Sequence, residues 1–193
     1  MARFLLKLSL FSLLSVWLGV WARAGNSAEI GQQLYLNAGG YGCQVCHGQF
    51  GHGAGQAGGN VRGAGLAKIE QAIKEQPTMQ LLATELTFQD LNHLAEYLTE
   101  LGRHDYLAIQ VEEAKLQVPN GSALATNKVD LIFTNQGFTE VFLDLHEMGL
   151  PSIKLNPLES KMLPWLRKPG SYSVPGYDQP IVINQGQGKD SND

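Results

Sequence analysis

The pattern of apolar and polar positions divides the chain into a helical first half and an extended second half. Ile30 and Leu34 lie four residues apart, which places them on one face of a predicted helix. Pro77 ends a second predicted helix, whose apolar face consists of Leu66, Ile69 and Ile73. A third predicted helix has its apolar residues three and four apart, at Leu91, Leu94, Leu98 and Leu101.

Local signals mark both ends of the third helix. Thr87 has the position of an N-cap, and Asp90 stands three residues later, where it completes a capping box. Gly102 follows the last apolar residue and supplies a stop. This helix is therefore expected to lie between Thr87 and Gly102.

The second half has the shorter period that is typical of strands. Residues 128–134 alternate apolar and polar side chains, which predicts a strand with one buried face. Further strands are expected around residues 106–118, 141–145, 153, 162–166, 171–174 and 181–183. Residues 25–104 hold one proline and residues 105–193 hold the other seven. These changes predict two domains, at residues 25–104 and 105–184.

The first 24 residues have the pattern of a secretory signal peptide. Arg3 and Lys7 form a basic start, residues 8–21 are an apolar run, and residues 22–24 read Ala-Arg-Ala, a cleavage pattern. The apolar run is short for a full membrane span. We therefore predict cleavage and a periplasmic location, with retention of the segment as a membrane anchor as the alternative.

The last residues and the net charge of the chain each support a prediction. No apolar residue follows position 183, so residues 185–193 are a predicted disordered tail. Without residues 1–24 the chain keeps 11 basic and 18 acidic residues, a net charge of −7. This charge excludes a nucleic-acid binder and favours a partner that carries a basic patch.

One short motif carries the chemistry. Residues 43–47 read Cys-Gln-Val-Cys-His, the signature for covalent attachment of haem c. The thiols of Cys43 and Cys46 would form thioethers with the haem, and His47 would be the proximal iron ligand. A redox disulfide or a metal site is the alternative, although no further cysteine completes a cysteine-rich zinc site. The export signal supports haem, because bacteria attach haem c outside the cytoplasm.

A glycine-rich loop follows the motif from residue 48 to residue 65. Its glycines would let the backbone pass close to a flat macrocycle, or they reflect simple flexibility. Arg62 lies in this loop and would meet a haem propionate, or it is an exposed loop arginine.

Residues 28–102 resemble a class I cytochrome c domain. The resemblance rests on residues 31–35, on the haem motif with the glycine after it, and on residues 87–98. It implies an all-α haem domain whose first and last helices cross near a glycine and an aromatic residue. Gly31 and Tyr97 occupy those two positions.

The resemblance also implies a distal iron ligand. The family's ligand is usually a methionine sulfur, which raises the reduction potential. Met79 is the only methionine in residues 25–104 and follows Pro77 by two positions. Core packing is the other interpretation of Met79. His52 and His93 are rival ligands, and an open sixth site would indicate a haem sensor or a peroxidase-type protein.

Residues 107–184 resemble the cupredoxin family. The resemblance rests on residues 128–137 and 168–176 and implies a small antiparallel β-sandwich. Blue-copper members bind copper with two histidines, one cysteine and a weak axial ligand.

The copper ligands of that family are missing from this sequence. Thr139 and Glu140 stand where the first histidine would be, Tyr177 stands at the second, and no cysteine follows Cys46. No copper is therefore expected. A copper site built from His146 and Met148 is the alternative.

The predicted fold class is α + β with two domains, an all-α class I cytochrome c domain followed by a small antiparallel, cupredoxin-like β-sandwich. The predicted function is that of an exported monohaem electron carrier with one covalent haem c. His47 and Met79 would ligate the iron, and the β domain would dock on a periplasmic or membrane redox protein. No constellation of acid, base and nucleophile accompanies the motif, so neither enzymatic activity nor a small-molecule substrate is predicted.

Overall fold

The computed structural model describes residues 26–55, 57–112, 115–118 and 126–183. The predicted signal peptide at residues 1–24 and the predicted disordered tail at residues 185–193 lie outside the described residues. None of the helices in the described part of the chain has the length and apolarity that crossing a membrane requires.

The helical half of the chain covers residues 26–102. Thr87 caps its last helix, because its hydroxyl accepts from the amide of Asp90 while the Asp90 carboxylate accepts from the amide of Thr87. The predicted capping box is thus confirmed, as is the stop at Gly102. The helices are α1 (Ser27–Asn37), α2 (Gln44–His47), α3 (Leu66–Glu75), α4 (Pro77–Gln80) and α5 (Phe88–Leu101), with a 3-10 turn at Ala38–Gly40.

Helices α1 and α5 cross in close contact at Gly31. A Cβ atom at Gly31 would lie 2.0 Å from the carbonyl oxygen of His93 and 2.8 Å from the Cβ of Tyr97. The Tyr97 ring packs against Tyr35, with 5.5 Å between the ring centroids. The crossing brings together a small buried core of Tyr35, Ala64, Ile69, Leu94, Ala95, Tyr97, Leu98 and Leu101.

The sheet half of the chain covers residues 105–183. Its largest sheet has the strand order β2-β1-β3-β6, and β4-β5 and β7-β8 form two-stranded sheets. The strands are β1 (Asp105–Glu112), β2 (Lys115–Gln117), β3 (Lys128–Asn135), β4 (Val141–Leu143), β5 (Ile153–Leu155), β6 (Ser160–Leu166), β7 (Gly170–Tyr172) and β8 (Ile181–Ile183), with a 3-10 turn at His146–Met148.

The predicted fold class is wrong. The structure is mixed α/β, with five short α-helices and eight strands in small sheets among the described residues, and no all-α cytochrome c domain is evident. The largest sheet is not antiparallel either, because β1 and β3 run parallel while β3 and β6 run antiparallel. The helices also do not complete a core alone, since Met162 of β6 packs against the helical cluster.

Strand β3 is buried on both faces, although its sequence predicts only one buried face. Val129, Leu131 and Phe133 face the core of the sheet half. Asp130 and Ile132 point to the opposite face by the alternation of a strand, and they are also buried. The polar alternation at Asp130 therefore reflects an ionic contact beneath the helical half rather than exposure to water.

We expect Gly31→Ala to destabilise the protein by about 1–3 kcal/mol, because the added methyl group collides with the backbone of α5. The change runs against helix propensity, which alone would favour alanine by about 1 kcal/mol. Urea unfolding monitored by circular dichroism measures the difference. Gln32→Ala, at an exposed position of the same helix, is the control and should change the free energy of unfolding little. A stabilised Gly31→Ala variant would contradict the close crossing.

Candidate functional site

A cavity of about 620 Å³ lies in the helical half. This volume falls in the range of ~300–1,000 Å³ that is usual for sites of small molecules and cofactors. Cys43, Cys46, His47 and Met79 all line it, so the structure brings together the four residues that the sequence singles out. Much of the remaining wall is apolar and includes Ile69, Ile73, Leu82, Leu86, Leu94 and Leu98.

Tyr35 of α1 fixes the position of the motif. Its backbone carbonyl accepts from the amide of Cys43 at 2.8 Å, and its hydroxyl donates to the carbonyl of Gly48 at 2.7 Å. Between these two contacts Gln44–His47 form α2, a single helical turn with Cys43 as its N-cap, so the two thiols stand at positions i and i+3. Burial raises the pKa of the Tyr35 hydroxyl, so this hydroxyl remains a hydrogen-bond donor.

The imidazole of His47 is oriented by a backbone carbonyl. Its Nδ1 lies 2.8 Å from the carbonyl oxygen of Gly59. A carbonyl can only accept, so Nδ1 carries the proton and Nε2 of the neutral ring is left with its lone pair. Histidines that bind metals through one ring nitrogen commonly donate from the other in this way.

The lack of a side chain at Gly58 leaves space for the imidazole of His47. A Cβ atom at Gly58 would lie 2.4 Å from Nδ1 of His47 and 2.6 Å from Cε1. At Gly59 a Cβ atom would meet nothing within 4 Å. The glycine-rich loop thus approaches the side chain of His47 closely at Gly58. The sequence suggested closeness to a macrocycle or simple flexibility for this loop, and neither interpretation includes this contact.

The chemistry of Cys43 does not favour a redox disulfide. Burial, and after it the neighbouring Cys46, raises the pKa of the Cys43 thiol to about 11. Redox-active Cys-x-x-Cys motifs instead hold a thiol of lowered pKa, because the thiolate is the nucleophile. No disulfide joins Cys43 and Cys46 in this structure.

The rival ligands His52 and His93 are not among the residues that line the cavity. His93 Nδ1 is 2.6 Å from the hydroxyl of Ser27, where it joins α5 to α1. His52 is buried, and neither of its ring nitrogens has a hydrogen-bond partner. Burial, helped by the charge of Arg62, lowers the pKa of His52, so its ring is neutral at neutral pH.

Arg62 is buried, and the prediction of an exposed loop arginine is wrong. Its side chain is 2% exposed and forms an ion pair with Asp130 of β3. Its Nη1 also donates to the carbonyl of Phe50 at 3.3 Å. Sequence reasoning missed Asp130 as its partner, and the one available signal was an acid inside an apolar strand.

Glu140, His146 and Met148 do not converge on a site. Glu140 pairs with Lys154 at 2.6 Å on the surface. His146 is exposed beside Asp144, whereas Met148 is buried in the core of the sheet half. Within the described ranges, no group of three or more His, Cys, Asp or Glu residues is placed to hold a metal ion.

Comparison with protein-family models and with curated proteins finds no match to this chain. The donor set of the cavity is therefore the guide to its chemistry. Two thiols three residues apart in the chain, an imidazole with a free Nε2 and a thioether line a largely apolar space. These residues fit a covalently held haem.

We expect Gly58→Ala to displace the His47 ring and weaken its hydrogen bond to Gly59, because the methyl group would overlap the imidazole. Nitrogen-15 NMR of the ring should then show a mixture of the two tautomers in place of Nδ1–H alone. Gly59→Ala is the matched control at the next position and should leave the ring signals unchanged. Equal spectra for the two variants would contradict the close approach at Gly58.

Proposed function

We propose that the chain is an exported, monohaem c-type cytochrome that carries electrons. The term refers to the covalent haem and not to a fold family. The observation that carries the proposal is that Cys43, Cys46, His47 and Met79 line one apolar cavity. The orientation of His47 adds support, since its Nε2 is the nitrogen left free for iron.

The cysteines would fix the cofactor covalently. Each thiol would add across one vinyl double bond, with its sulfur bonding one carbon and its hydrogen passing to the other, so that no group would leave. A haem bound there would supply one-electron chemistry through its ferric and ferrous states.

Met79 is the proposed distal ligand. It lies in α4, the short turn that Pro77 begins, and it lines the same cavity as His47. A thioether is a soft, neutral ligand that favours the ferrous state and so raises the reduction potential.

The proposed partner is a periplasmic or membrane redox protein. The net charge of −7 that remains without residues 1–24 would steer the chain towards a basic surface. Docking by the sheet half is part of this proposal. Phe138 and Phe142 are 85% and 64% exposed there, and such aromatic side chains are frequent anchors in interfaces.

Met79→Leu tests the ligand assignment, because leucine keeps the volume and removes the sulfur. We expect the variant loaded with haem to have a lower reduction potential, and its ferric form to lose the weak Met-to-iron absorption band in the red. Met148→Leu is the control, since Met148 lies in the core of the sheet half. An unchanged potential and spectrum in Met79→Leu would favour the haem sensor or peroxidase-type alternative with another or no sixth ligand.

A further inference from the structure

We propose that the sheet half positions the iron ligand His47. Tyr106 of β1 and Asp130 of β3 would do so by holding residues 57–62, here called the ligand loop, against the imidazole. This inference rests on the proposed function for the role of His47. The positioning itself is a property of the polypeptide and can be measured without haem.

The ligand loop sets the orientation of His47 through two hydrogen bonds. The carbonyl of Gly59 accepts from Nδ1 of His47 at 2.8 Å. The amide of Gly58 donates to the carbonyl of Cys46 at 2.7 Å, one residue before the ligand. A shift of the loop would therefore move the acceptor on which the tautomer and the ring plane depend.

Tyr106 holds the loop through its hydroxyl group. The side-chain amide of Asn60 donates to this hydroxyl at 3.3 Å, and the hydroxyl donates to the carbonyl of His52 at 3.3 Å. Asn60 in turn accepts from the amide of Arg62 at 2.9 Å. One phenol thus joins the ligand loop to the segment that follows the haem motif.

Asp130 holds the end of the same loop. Its carboxylate pairs with Arg62, and the two side chains are 5% and 2% exposed. The other oxygen of Asp130 lies 3.2 Å from Nδ1 of His104. A buried charge that loses its partner is costly, so Arg62 is strongly constrained to this place.

The two sheet residues act as one unit. Tyr106 and Asp130 are direct neighbours in the register of the parallel pair β1 and β3. The guanidinium carbon of Arg62 lies 5.3 Å from the centre of the Tyr106 ring, a cation–π distance. Only two residues separate Arg62 from Gly59. The contacts of Tyr106 and Asp130 with the ligand loop therefore lie close to the carbonyl that accepts from His47.

Tyr106→Phe in the full chain without haem tests the proposal, because it removes the hydroxyl and keeps the ring over Arg62. We expect nitrogen-15 NMR to show His47 as a mixture of tautomers. We also expect the amide of Val61, which donates to Gly51, to exchange with solvent about fivefold faster. Tyr172→Phe is the matched control, since its hydroxyl binds the carbonyl of Lys168 in the sheet half, and it should change neither signal.

Asp130→Asn is the second variant, with Glu112→Gln at an exposed position of β1 as its control of equal charge change. Asp130→Asn should alter the His47 ring signals, and Glu112→Gln should not. Unchanged His47 signals in both Tyr106→Phe and Asp130→Asn would overturn the positioning role.

The reduction potential separates this inference from the proposed function. In the protein loaded with haem, Tyr106→Phe should raise the potential relative to Tyr172→Phe, because a weaker bond from Nδ1 makes His47 a less basic ligand. Mixed tautomers in a chain that takes up no haem would uphold the positioning role and contradict the proposed function. Haem uptake with an unchanged potential and a single His47 tautomer in Tyr106→Phe would uphold the proposed function and contradict the positioning role.

Discussion

The buried ion pair between Arg62 and Asp130 is the contact on which the arrangement of the two halves depends. Both side chains are almost fully removed from water, and their residues are 68 positions apart in the chain. Removing one partner of such a pair typically costs about 3–5 kcal/mol, because the other charge remains buried. The pair therefore fixes where the helical half sits on β3, and with it the loop that carries Gly59.

This arrangement gives the cavity two kinds of support. From the helical half, Tyr35 holds the haem motif by its carbonyl and its hydroxyl. From the sheet half, Tyr106 and Asp130 hold the loop that orients His47. A His47 ring supported from both sides has little freedom to rotate, and under the proposed function such a rigid ligand would lower the cost of changing the charge on the iron. The sheet half therefore has a structural reason to accompany the haem motif besides any role in docking.

Local signals in the sequence predict much of the site. The capping box at Thr87, the stop at Gly102 and the face of α3 each depend on residues within one or two turns, and the structure has them where the sequence places them. Residue types and spacing also single out Cys43, Cys46, His47 and Met79, and the structure places all four around one cavity.

Contacts between distant residues could not be predicted in this way. The direction of β1 against β3 and the burial of the second face of β3 depend on packing against the helical half. For the same reason the resemblance to two known families led to the wrong fold class. Arg62 looked like a surface residue, since nothing near it in sequence reveals an acid on a strand 68 positions away.

Covalent attachment of haem is the central claim, and it can be tested on the full chain expressed in a bacterial host that has the haem attachment machinery. The protein is denatured and run on a gel, and haem is detected by its absorbance and by the intact mass of the chain. The account predicts that haem stays with the denatured polypeptide and is lost when Cys43 and Cys46 are both replaced by serine. An exported chain with two free thiols and no haem would contradict it.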